Sequence, residues 1–112
     1  MIDGKLAIDM SARVWSAIDA NMDNVVSLGA QTGDAEAVRR GQAIRAEGSK
    51  QVPWVDGQWP AMSLTLSIEL ARSQWEYVLQ NARQAIAIYG ELRDAESQRL
   101  CEQIVSIVSA AL

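Results

Sequence analysis

Apolar residues recur along the chain at helical spacing in four stretches. Across residues 5–28, Ile8, Trp15 and Met22 stand seven apart, with Ile18 and Val25 three residues after the latter two. That spacing makes one stripe of an amphipathic helix. Across residues 64–89 the stripe is Ile68, Ala71, Trp75, Val78, Ala82, Ala85 and Tyr89. Two shorter stretches follow the long ones. Residues 35–46 lie behind Asp34 and are anchored by Val38 and Ile44. Residues 95–111 lie behind Asp94 and carry Leu100, Cys101, Ile104, Val105, Ile107 and Val108. Gly29 and Gly33 are stop signals, the two aspartates are good N-caps, and Glu36 suits the first turn of a helix dipole.

The two halves look alike, as an internal duplication would make them. With the chain slid by 60 residues and no gap, residues 6–49 match residues 66–109 at ten of 44 positions. Trp15 meets Trp75, and Asp34-Ala35-Glu36 meets Asp94-Ala95-Glu96. Leucine and isoleucine matches arise easily between amphipathic helices, so the tryptophan and the capping triplet carry the comparison. The copies diverge late: Arg45, Glu47 and Gly48 stand where the second has Val105, Ile107 and Val108. The expected fold is all-α, a single four-helix domain over residues 1–112. Two antiparallel αα-hairpins, at about 5–46 and 64–112, flank a connector at 47–63.

The connector holds two of the four tryptophans, in "QVPWVDGQWPAM". Asp56-Gly57 favours a two-residue hairpin turn, because both positions need positive φ. Trp54 and Trp59 would then face one another across it. Pro53 and Pro60 supply no ladder donor and blunt its ends. The rings either cap the open end of the bundle or anchor a partner, since tryptophan is enriched in binding hot spots. Trp15 and Trp75, inside their stripes, belong to the core.

Composition narrows the function classes. Nearly half the residues are hydrophobic and 21% are charged, which is ordinary for a globular domain. The net charge of -4 argues against a general nucleic-acid surface. There is no histidine and one cysteine, so the usual general base, an internal disulfide and a thiolate metal cluster are all missing. The acidic start has no signal-peptide core. The uncharged run "QIVSIVSAAL" has ten residues, against roughly 20 needed to cross a bilayer. The expectation is a soluble cytoplasmic protein.

Candidate chemistry is sparse. Asp19 and Asp23, four apart on one helix face, could hold a hard cation only with more oxygen ligands. "ELRD", residues 91–94, has an E-x-x-D spacing that resembles the all-α nucleotide pyrophosphohydrolases. The upstream E-x-x-E pair of that family is missing, because Glu69 and Glu76 stand seven apart. Arg39, Arg40, Arg45 and Lys50 form a local basic cluster interrupted by Glu36 and Glu47.

The expected function is therefore a non-catalytic protein–protein interaction module, self-associating as a homodimer or higher oligomer. By class-level analogy it is an accessory or inhibitory factor of bacterial or mobile-element type. It needs no cofactor or metal, and its partners are itself and an unidentified protein, with no membrane. The candidate contact residues are Trp54, Trp59 and Val55 of the connector, with Ile107, Val108 and Leu112 of the apolar last helix. The alternative is a bundle that binds a small molecule or nucleotide, with Arg39, Arg40 or Arg45 on a phosphate. A magnesium-dependent pyrophosphohydrolase-like enzyme stands third.

Overall fold

A computed structural model describes residues 3–112. The element order is β1 (Lys5–Ser11), α1 (Ala12–Thr32), α2 (Ala35–Ser49), β2 (Thr65–Ala71), α3 (Arg72–Glu91) and α4 (Ala95–Ala111). The all-α expectation is corrected: the two segments read as the first turns of the long helices are strands. They pair antiparallel in a two-stranded sheet, in a register that sets Ile8 opposite Ile68.

The strands have a physical cause. Leu6, Ile8 and Met10 alternate with Lys5, Ala7 and Asp9, and Leu66, Ile68 and Leu70 alternate with Thr65, Ser67 and Glu69. A period of two puts each apolar set on one face. That face is turned inward and the polar set is exposed. Ser11 then stops β1 and starts α1, its hydroxyl accepting from the Val14 N–H at 3.2 Å. Ala71, 60 residues on, has no such group. The start of α3 is served from elsewhere: Asp3 accepts from the Ser73 N–H at 3.0 Å and from the Ser73 hydroxyl, and Gln74 accepts from the Ala71 N–H at 2.9 Å.

Both strands, and the starts of all four helices, recur at an offset of 60. The strand register is consistent with that offset, because Ile8 pairs with its own equivalent, Ile68. The two β-α-α units are thus related by an approximate two-fold axis through this pair. Within each unit the helices form an antiparallel hairpin. The left-handed residue after α1 is Gly33, with φ 77°. Its equivalent is Arg93, with φ 56°, a conformation costly for a residue with a Cβ.

One core joins the sheet and all four helices, including Trp15, Ile18, Met22, Ile44, Ile68, Leu70, Trp75, Val78 and Ile104. The units fill it differently. Gly48 of α2 lies so close to the Trp15 ring that an added Cβ would fall 1.8 Å from it. Val108 takes the equivalent place in α4 and is itself buried. The Trp75 indole N–H instead donates to the Leu6 carbonyl at 2.8 Å. Helix α2 continues to Ser49, and the ring of Trp15 occupies the volume its glycine leaves. No helix is long and apolar enough to cross a membrane among the described residues.

Candidate functional site

The connector folds as a tight turn. Asp56 and Gly57 have φ of 50° and 75°, and Val55 and Gln58 exchange both backbone hydrogen bonds at 2.9 Å. The turn brings Trp54 and Trp59 together, with ring centroids 4.5 Å apart and planes inclined at 56°. Their surroundings differ. Trp59 packs against the core, whereas Trp54 is 39% exposed and Val55 is 60% exposed. The Trp54 indole N–H donates to the Ser49 carbonyl at 2.9 Å, which ties the turn to the end of α2. The remaining candidate contact residues lie elsewhere. Val108 is fully buried and offers nothing to a partner. Ile107 and Leu112 are partly buried against the core.

The three arginines do not converge. Arg39 pairs with Glu36 at 2.5 Å, which holds the Glu36 carboxyl below its ordinary range. Arg40 lies over the Tyr77 ring, 4.0 Å from its centroid. Both border a cavity of about 290 Å³ with Asp3 and the start of α3. The Asp3 carboxylate already occupies that helix N-terminus, the natural place for an anion. Arg45 is engaged separately, by Asp19 at 3.0 Å and Asp23 at 2.9 Å. These bonds raise its affinity for the proton, and Arg45 spans the aspartate pair that could have drawn a metal. Arg45 and Asp19 border another cavity, of about 300 Å³, with Trp15, Trp54 and Trp59.

No cluster of three or more potential metal-ligating side chains occurs among the described residues. Asp94 caps α4, accepting from the Ser97 N–H at 3.1 Å and from the Ser97 hydroxyl at 2.7 Å. Glu69 lies on β2 and Glu76 on α3, so they do not share an element. Cys101 is buried, and burial pushes its thiol up despite the Asn21 amide donating to its sulfur at 3.6 Å. A thiol held neutral in this way is a poor nucleophile.

One apolar groove was not singled out by sequence. The outer halves of α1 and α3 flank a groove of about 330 Å³. Asn21, Asn24, Val25 and Leu28 line it from α1, and their equivalents Asn81, Gln84, Ala85 and Ile88 line it from α3, joined by Tyr89 and Leu92. None of these side chains is charged. Leu28 is 62% exposed, Ile88 55% and Leu92 68%, which is unusual for large aliphatic groups gathered around one groove. The matching at offset 60 was the available signal, since Leu28 and Ile88 are equivalent. Apolar walls edged by side-chain amides suit a protein surface better than a phosphate or a metal ion.

Compared with protein-family models, with curated proteins and with solved structures, the chain gives no match.

Proposed function

We propose that this protein is a non-catalytic binding module whose groove between α1 and α3 takes the apolar face of a helix from another protein. The observation that carries the reading is the gathering of Leu28, Ile88 and Leu92, all exposed, around an uncharged groove. In a helix-in-groove contact the docking helix sets its own apolar anchors, at one- and two-turn spacing, against walls of this kind. The Trp54–Val55 tip is a separate projection and serves as the comparison surface.

The test uses purified wild-type protein and the variants Leu28→Glu, Ile88→Glu and Trp54→Ala as baits. Each exposed-site variant should keep the wild-type circular dichroism. A partner retained by the wild type and by Trp54→Ala, but lost from both groove variants, is the expected result. A partner retained by both groove variants and lost from Trp54→Ala would move the binding surface to the connector and overturn the proposal.

A further inference from the structure

The two outer edges of the sheet are finished differently. The Ala12 N–H donates to the Leu64 carbonyl and the Arg72 N–H to the Gly4 carbonyl, so even-numbered residues bond across the strand pair. Backbone groups of the odd-numbered residues therefore point away from it. On β2 this is direct: the Glu69 N–H donates to Gln51 Oε1 at 2.7 Å, and the Glu69 carbonyl accepts from Gln51 Nε2 at 2.8 Å. The side-chain amide of Gln51 thus copies one peptide group of a third strand and blocks that edge at Glu69, although the outward groups of Ser67 receive no bond among the described residues.

Sixty residues beyond Gln51 stands Ala111, which has no amide to offer. On β1 the outward groups of Ala7 and Asp9 receive no bond from side chains or loops among the described residues. Lys5, Ala7 and Asp9 are exposed, and so are Ser109, Ala110 and Ala111, the small residues that end α4. An edge in this state is a template for another strand.

We propose that β1 pairs antiparallel with β1 of a second copy, joining the two-stranded sheets into one of four strands. The strand's charges select this occupant. With the two-fold axis at Ala7, Lys5 of each copy stands opposite Asp9 of the other, both on the exposed face. Opposite charges directly across a strand pair are favourable. Leu6 and Ile8 extend the shared apolar face. The pairing also ends itself. Each outer edge of the joined sheet is a β2 with its own Gln51 seated at Glu69, where a further strand would have to lie, so the assembly closes at two copies. An unrelated extended peptide would satisfy the backbone but has no claim on the Lys5–Asp9 arrangement.

Sedimentation equilibrium of the full chain over a concentration series tests this. The wild type should be a dimer. Ala7→Pro removes an outward N–H and no bond of the β1–β2 ladder, so it should give a folded monomer. Should proline disturb β1 itself, the charge variants decide. Asp9→Lys sets lysine opposite lysine and should weaken the dimer roughly tenfold or more. Lys5→Asp combined with Asp9→Lys should restore it. A wild-type monomer at millimolar protein would overturn the proposal. So would failure of the double variant to restore association, or a dimer lost in Leu28→Glu and untouched by Asp9→Lys. The last result would assign self-association to the groove, so the edge and the groove are judged separately.

Discussion

At the residue scale, the units are most sharply distinguished by what stands at Gly48 and Val108. Glycine inside a helix ordinarily costs about 1 kcal/mol relative to alanine. At Gly48 that sign reverses, because the added Cβ would lie 1.8 Å from one atom of the buried Trp15 ring and 2.4 Å from the next. The ring is enclosed by the core and cannot withdraw freely, so overpacking costs about 1–3 kcal/mol or more. Gly48→Ala should therefore lower the denaturant midpoint at unchanged m, by a net amount of up to about 2 kcal/mol. Gly90 of α3 is the matched comparison. Its added Cβ would meet only the Gln98 side chain, at 3.0 Å from the end amide nitrogen. A flexible glutamine can move, so Gly90→Ala should be neutral or stabilise by up to about 1 kcal/mol. Equal destabilisation by both variants would show that Trp15 does not depend on the glycine.

At the element scale, the caps at the helix starts should make the fold sensitive to acid. The Ser97 hydroxyl and N–H hold the Asp94 carboxyl below its ordinary value of 3.8, and the Ser73 hydroxyl and N–H do the same for Asp3. A carboxyl whose folded pKa is depressed contributes stability above its unfolded pKa and loses it as pH falls through the folded one. The melting temperature should thus be insensitive to these groups near neutrality and fall below about pH 4. Asparagine also caps helices but does not titrate. Asp94→Asn should accordingly show a shallower acid decline than the wild type in a pH series of thermal melts. Identical slopes would exclude the cap as a source of acid sensitivity. The same caps explain what was legible. Asp34, Asp94, Gly33 and the Asp56-Gly57 turn act through neighbours a few residues away, so sequence exposes them. The strands were hidden by an ambiguity of period. Ile8, Trp15 and Met22, seven apart, fit a continuous helix, while Leu6, Ile8 and Met10 fit a strand. The Ser11 cap resolves it, and α3 has no equivalent serine because Asp3 supplies the cap from a distant part of the chain. The groove was hidden for a different reason. Leu28 and Ile88 line one groove only because the fold sets α1 beside α3.

At the scale of the whole molecule, the approximate two-fold arrangement matters most where it fails. Gln51 blocks β2 at Glu69, and Ala111 offers no such amide to Asp9 of β1, which is why the proposed assembly closes at two copies instead of growing. Removing the amide should undo that closure. In Gln51→Ala the Glu69 N–H and carbonyl lose their partner, so the molecule has two open edges instead of one. Pairing β1 with β1 and β2 with β2 then generates a continuous sheet with no terminating copy. Gln51→Ala should therefore form species larger than a dimer, increasing with concentration and visible by light scattering. Adding Ala7→Pro blocks one of the two edges, and the double variant should stop at a dimer built through β2. If Gln51→Ala keeps the wild-type size at every concentration, the glutamine stabilises β2 without limiting assembly. The reason for closure would then have to be sought in the helices beneath the sheet.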